Sequence, residues 1–198
     1  MKFVKDLIWS VSLSLAYPIA KILFNMKIEG KYPRKGGIII YSNHLSYLDP
    51  PLLGIALVRP TYFVAKIELF RNPLFAFVIK IFNAIPLDRD RPSVSFLKRV
   101  KKILQSKNNI LVFPEGTRNR TGKFFLPFKK GILKFGVNKF CPVYIEGLKF
   151  LKLKKIFLYF FEEKGVKIKI GRIFYLKGSD GDKKIKLLED KLWELKKL

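Results

Sequence analysis

The 198 residues contain one histidine, one cysteine and two tryptophans. The lone Cys141 excludes an internal disulfide framework. One cysteine and one histidine leave no ligand set for a structural zinc site or for a zinc or iron enzyme. The same scarcity suits a reducing, cytoplasmic setting. Cys141 stands in the apolar run Phe140-Cys141-Pro142-Val143-Tyr144-Ile145 and reads as a packed core thiol, not a nucleophile. Acidic residues are also scarce, 15 against 40 lysines and arginines, which gives a net charge of +25. Such an imbalance dictates no fold, but it predicts attraction to polyanions: nucleic acid, an anionic membrane face, or acidic substrates and carriers. No zinc-finger, helix-turn-helix or aromatic–basic RNA motif accompanies the charge, so no nucleic acid is expected as a partner.

An apolar run of membrane-spanning length is missing too. Leu7 to Ala20 carries no charge, yet as a helix it extends only about 21 Å, against about 30 Å of bilayer hydrocarbon. Lys2 and Lys5 precede it as in a signal peptide, but no small-x-small cleavage site follows, and Lys21 leads into further apolar residues. On a helix, Asp6, Ser10, Ser14, Tyr17 and Lys21 make a narrow polar stripe, with Val4, Ile8, Trp9, Val11, Leu15, Ile19 and Ile22 elsewhere. This pattern suits a helix lying in a membrane interface, where each Lys or Arg near an anionic surface adds about 1 kcal/mol. A helix packed on its own domain is the competing reading. Residues 1–27 are therefore expected to form a membrane-associating helical segment, kinked or divided at Pro18, and residues 28–198 a single domain. With no spanning segment, the expected location is peripheral or monotopic, at the cytoplasmic face of the cell membrane.

Short apolar runs punctuate the rest of the chain. Gly36 to Ser42, Thr61 to Ala65, Ala84 to Leu87, Ile110 to Phe113 and Cys141 to Ile145 read as buried strands. Between them lie helix signals. Pro50 to Leu57 has Asp49 as an N-cap and proline at the first helical position. Leu69 to Phe82 is a second helix, and Phe128 to Phe135 a short one. Ser93 to Ser106 is the clearest, with Val94, Leu97, Val100 and Leu104 facing inward and Lys98, Lys101 and Lys102 outward. Ile156 to Phe161 is continuously apolar, Val166 to Ile170 alternates like a half-buried strand, and Gly178 to Asp182 is a turn before a terminal helix over Lys183–Leu198. No internal repeat or low-complexity linker interrupts the series. Alternation of this kind predicts an α/β fold, a mostly parallel or mixed sheet flanked by helices.

His44 follows the first of those strands directly, and Asp49 lies five residues on. Histidine titrates near neutrality, and a carboxylate on its Nδ1–H would fix the tautomer and steady the imidazolium. This is half of a hydrolase triad with the nucleophile missing, a place that a substrate hydroxyl can fill. The bland reading, a hydrogen-bonded structural histidine, loses ground because of a second strand end. There Asn109-Ile110-Leu111-Val112-Phe113 runs into Pro114-Glu115-Gly116-Thr117-Arg118. In open α/β sheets ligands bind beyond the carboxyl ends of the strands, so parallel strands would bring His44 and Glu115 to one edge. An ion pair between Glu115 and Arg118 is the structural alternative. Arg89, after Ala84 to Leu87, is placed to grip a phosphate at the same edge.

Asn43-His44 through Asp49, Phe113-Pro114-Glu115-Gly116-Thr117-Arg118, and Pro142-Val143 preceded by Pro127-Phe128-Lys129-Lys130-Gly131 together resemble the glycerolipid acyltransferase family. The likeness is to bacterial 1-acyl-glycerol-3-phosphate acyltransferases in particular. It covers Ile28 to Gly147 in order and includes Phe63-Val64-Ala65-Lys66 with Glu68-Leu69. Two positions depart from the family pattern: Asn83 replaces the glycine that opens the second motif, ahead of a retained Asp88-Arg89, and Cys141 replaces a branched aliphatic.

The resemblance implies acylation of lysophosphatidic acid to phosphatidic acid, with acyl carrier protein or coenzyme A thioester as donor, an anionic membrane surface as partner, and no cofactor. His44 and Asp49 would be catalytic. Arg89, Glu115, Gly116, Thr117 and Arg118 would hold the glycerol phosphate, with Lys66 as a further phosphate ligand. A related acyltransferase with another acceptor (glycerol 3-phosphate or a different lysolipid) is the rival within the family, and a non-catalytic basic binder the rival outside it.

Overall fold

The computed structural model describes residues 2–33, 36–89, 91–147 and 165–197, with side chains in the first helix at Trp9 and from Val11 onward. Helix α1 (Lys2–Leu23) leads into β1 (Lys27–Glu29). Then follow β2 (Ile39–Ser42), α2 (Asp49–Ala56), β3 (Thr61–Lys66), α3 (Pro73–Ile81), β4 (Ala84–Leu87), α4 (Val94–Gln105) and β5 (Asn109–Val112). The described chain ends with β6 (Lys139–Glu146), β7 (Lys167–Ile170), β8 (Phe174–Tyr175) and α5 (Gly181–Lys197).

These strands form one eight-stranded sheet in the order β1-β7-β6-β2-β5-β3-β4, with β8 paired to β6. The centre, β6-β2-β5-β3-β4, is parallel, whereas β7 and β8 run antiparallel to β6. The expected α/β class is thus observed, with a mixed edge. The steps β2-α2-β3 and β3-α3-β4 cross the sheet in one direction. Right-handed crossovers therefore put α2 and α3 on one face, and α4, which returns from β4 to β5, on the other. Each face has its own core: Trp9, Leu53 and Ala56 pack on Ile38, Ile40 and Leu111, while Val100, Leu104 and Leu188 pack on Ile39, Tyr41 and Ile110.

All five buried strands read from the apolar runs are present within a few residues of their expected ends. Helix α4 is also where its periodicity puts it, capped by the Ser93 side chain accepting from the Phe96 N–H at 3.1 Å. Its inward face is Phe96, Val100, Ile103 and Leu104, however, and Val94, expected inside, lies in the first turn at 68 % exposure, before the helix meets the sheet. Four further expectations need correction. The Leu69–Phe82 helix is two pieces, a 3-10 turn Ile67–Phe70 and α3, because Asn72 caps a new start and Pro73 cannot continue the old one. Phe128 to Phe135 is a 3-10 helix, Lys130–Phe135, closed by left-handed Gly136. Helix α1 runs undivided through Pro18, which stands exposed, with the packing of Trp9 before it and Ala20 after it on the core holding the two halves together. Strand β7 is not half-buried: it lies between β6 and β1 with Lys169 covered, its Nζ donating to the Lys196 carbonyl of α5 at 3.3 Å. The apolar run Ile156 to Phe161 lies outside the described residues.

Helix α1 packs on the domain and keeps an apolar stripe outside. Trp9 and Ala20 join the core beside α2, while Val11, Leu15, Ile19 and Ile22 face outward, Ile22 at 78 % exposure. No described helix is long and apolar enough to cross a membrane.

Candidate active site

Strands β2 and β5 are parallel neighbours, so the residues after Ser42 and Val112 emerge at one edge. Asn43 fixes the first exit. Its side chain donates to the Ile145 carbonyl at 2.9 Å and accepts from the Ile145 N–H at 3.0 Å, continuing the pairing of β2 with β6 past its last backbone pair. His44 then turns out of the sheet, with its ring stacked on Phe113 at 4.1 Å between centroids.

The His44 Nδ1 lies 2.6 Å from Asp49 Oδ2, as the spacing of the two residues suggests. Asp49 is not the helix cap expected of it. The cap position of α2 is Leu48, which makes no side-chain cap bond, and the Asp49 carboxylate instead folds back to accept from Leu45 N–H at 2.6 Å and Ser46 N–H at 2.8 Å. The spacing is right because three donors of one turn converge on a single oxygen. Its other oxygen, Oδ1, is buried without a hydrogen-bond partner among the described residues. An ionised carboxylate held this way keeps the His44 Nδ1–H as donor and leaves Nε2 as the free acceptor.

Glu115 binds the two strand ends together. One oxygen accepts from the His44 N–H at 2.7 Å and the other from the Leu126 N–H at 2.9 Å. Burial pushes its carboxyl up to about 7, opposed by these two N–H groups and assisted by the charge of Asp49. With 2 % exposure and both oxygens engaged by backbone, Glu115 is a positioning group in this geometry, and it forms no ion pair with Arg118. The His44 carbonyl accepts from the Asn119 N–H at 2.7 Å, so the His44 turn is held from the β5 loop on both sides of its backbone.

Beyond Glu115 the loop opens. Gly116 has φ +71°, and a Cβ there would meet the Lys129 side chain at 3.0–3.1 Å. The positive φ favours glycine there, and a Cβ would press on the end of the Lys129 side chain that crosses it. The Gly116 carbonyl accepts from Arg89 Nη1. Thr117 is exposed, and the Arg118 guanidinium rests 3.5 Å above the centre of the Tyr47 ring. Lys66 stands apart at the end of β3 in a 2.8 Å pair with Glu68, whose carboxylate also acts electrostatically on Arg89. The fold therefore gathers His44, Asp49, Glu115, Gly116 and Arg89, places Arg118 at their rim, and joins Lys66 to them only through Glu68.

Sequence reasoning missed Lys129, Asn119, Tyr47 and Phe113 as site residues. The first has a visible signal in hindsight: a lysine in Pro-Phe-Lys-Lys-Gly among so many surface lysines is conspicuous only when the glycine that makes room for it is known. Asn119 follows the Gly-Thr-Arg run and is buried, its side chain accepting from Thr121 at 3.0 and 2.8 Å and donating to the Lys123 carbonyl at 2.6 Å.

A carboxylate-held histidine at a sheet edge, beside a glycine–arginine loop, is an arrangement able to take a proton from a bound hydroxyl. The chain belongs to the acyltransferase family, whose model, described as Acyltransferase, matches residues 24–145. It is 34 % identical over 119 residues to a 1-acyl-sn-glycerol-3-phosphate acyltransferase of Cocos nucifera, covering 59 % of this chain and 38 % of that one. A protein of the same name from Bacillus subtilis is 29 % identical over 119 residues, 58 % of each chain. A chloroplastic one from Arabidopsis thaliana is 31 % identical over 165 residues, 74 % of this chain and 44 % of that. The chain thus spans about two-fifths of the length of the first curated relatives it matches. Among solved structures, the 1-acyl-sn-glycerophosphate acyltransferase PlsC from Thermotoga maritima shares the fold, with TM-score 0.66 and 20 % identity over 100 % of this chain and 97 % of that one.

Proposed function

We propose that the protein transfers a fatty acyl group from an acyl thioester to the free sn-2 hydroxyl of 1-acyl-glycerol 3-phosphate, making phosphatidic acid. The observation that carries this reading is the placement of the 2.6 Å His44–Asp49 pair beside the cationic loop at Gly116–Arg118. His44 Nε2 takes the hydroxyl proton as the oxygen attacks the thioester carbonyl. Collapse of the tetrahedral intermediate breaks the C–S bond, and the imidazolium returns its proton to the leaving thiolate. Asp49 holds the ring and stabilises its charge. Help of this kind is worth about 10²–10⁴-fold in rate. No enzyme nucleophile enters the sequence of steps, and no cofactor beyond the thioester donor.

Arg89, Arg118 and Lys129 supply the positive charge for the phosphate, with Thr117 the exposed hydroxyl beside them. Arginines suit phosphate because their paired N–H groups match two of its oxygens. Lys66, tied to Glu68, contributes charge at the edge of that set. The donor is an acyl carrier protein or coenzyme A thioester, both anionic, as the charge of +25 favours. The apolar stripe Val11, Leu15, Ile19 and Ile22 of α1 supports residues 1–27 as the membrane-associating segment at the cytoplasmic face.

The test is acyl transfer by purified protein in detergent micelles, with a long-chain acyl-thioester and a choice of acceptors. Phosphatidate from lysophosphatidate is the expected product. Preference for glycerol 3-phosphate or a phosphate-free lysolipid would assign a different acceptor, and inertness toward all of them would return the protein to the basic-binder reading.

A further inference from the structure

Helix α3 is strongly apolar and yet mostly exposed. Its sequence is PLFAFVIKI, its only buried residue is Ala76, and it contains no acidic side chain. Leu74 is 76 % exposed and Phe77 64 %, with Phe75, Val78 and Ile81 exposed around them and Phe82 just beyond the helix. Monomeric soluble proteins rarely leave a contiguous apolar surface of this kind without a use for it.

Position adds to composition. Helix α3 starts after the carboxyl end of β3, at the edge where His44 emerges, and lies on the same side of the sheet as α1. Trp9 of α1 meets the Phe82 ring edge-on at 6.1 Å, so α1 touches the chain at the end of α3. Arg71 and Lys80 stand exposed at either end of α3.

We propose that α3 is a second membrane element, whose apolar side enters one leaflet of an anionic bilayer next to α1 while Arg71 and Lys80 meet the headgroups. The proposal rests on the reading that the acceptor is a membrane lipid. At nine residues α3 is about 13 Å long, enough to lie in a leaflet but not to cross it. Charge decides the occupant. A second copy seated on this face would bring Arg71 and Lys80 against their own kind in a chain of net charge +25, whereas an anionic leaflet complements them. Bound this way, the protein presents the sheet edge bearing His44 to the surface that holds its acceptor.

The test uses the full chain with an environment-sensitive fluorophore attached at Leu74→Cys, and at Lys98→Cys on the polar side of α4 as a control; the native Cys141 is buried. Vesicles of phosphatidylcholine with and without phosphatidylglycerol are added. The Leu74 label is expected to shift to the blue and to be quenched by lipids carrying a quencher high in the acyl chain, only when anionic lipid is present, with the control unmoved. A Leu74 label that stays water-like on vesicle-bound protein overturns the proposal. So does a dimer in sedimentation that Leu74→Glu with Phe77→Glu dissolves, because the occupant is then a second copy. The same double variant should lower vesicle partitioning about tenfold or more, and leave transfer to a short-chain, water-dispersed lysophosphatidate unchanged. Absence of that transfer in the unaltered protein would count against the acyltransferase reading alone, since the label reports insertion independently of turnover.

Discussion

At the end of β2, the ring, N–H and carbonyl of His44 are each held, by Asp49, Glu115 and Asn119. One strand over, past β5, Thr117 stands in solvent and Arg118 leans on the exposed Tyr47. The two loops leave neighbouring parallel strands at the same level, so the contrast does not come from their place in the fold. It comes from what they hold. Each arrangement suits its part in the proposed reaction. Proton transfer would need atoms placed to a few tenths of an ångström, and the β2 turn holds His44 with a buried carboxylate that keeps one oxygen without a partner among the described residues. A phosphate, large and charged, would need accessible cations and not a fixed ring, and the β5 loop is the open one.

Substitutions should separate the two ends. The largest effect belongs to His44→Ala, which should lower turnover about 10³-fold and leave the KM for lysophosphatidate within a few-fold. Asp49→Asn should cost about 10²-fold in turnover. It should also lower the melting temperature, because the Leu45 and Ser46 N–H groups lose charge-assisted acceptors, and calorimetry of the purified variant checks this. Arg89→Ala or Arg118→Ala should act at the other end, raising the KM about tenfold with turnover little changed in steady-state assays.

Glu115 joins the ends and has a pH signature. Its folded pKa of about 7 lies above the ordinary 4.5, so the folded state binds the extra proton and the contribution of this group to stability is lost as pH rises through about 7. Denaturant titrations should show the wild type losing stability relative to Glu115→Gln between pH 5 and pH 7.5, a window set by those two values. A constant difference would contradict the assignment. The smallest effect is expected at Tyr47: Ala should raise the KM about three-fold by freeing Arg118, and Phe, which keeps the ring face, should not.

How much of this the sequence carries depends on the range of the interaction. Strand cores such as Ile38 to Tyr41 are legible because burial on both faces forces a continuous apolar run. Helix α4 is legible because its stripe and Ser93 agree. The His44–Asp49 pair is local, five residues in one turn, and so is the order of the motifs. Two other features depend on distant partners. Glu115 shows no local sign that both its oxygens are taken by backbone N–H groups of His44 and Leu126. Lys169 alternates like a surface lysine, and only α5 shows it covered. The apolar α3 reads as core by composition, and no local signal shows that it stays outside.

The decisive measurement is acyl transfer at saturating lysophosphatidate by the wild type, His44→Ala and Arg118→Ala side by side. The account predicts that Arg118→Ala recovers nearly the wild-type rate once the acceptor saturates it, and that His44→Ala stays about 10³-fold slower at every concentration. Recovery of His44→Ala at high acceptor would make His44 a binding group and leave the reaction without its base.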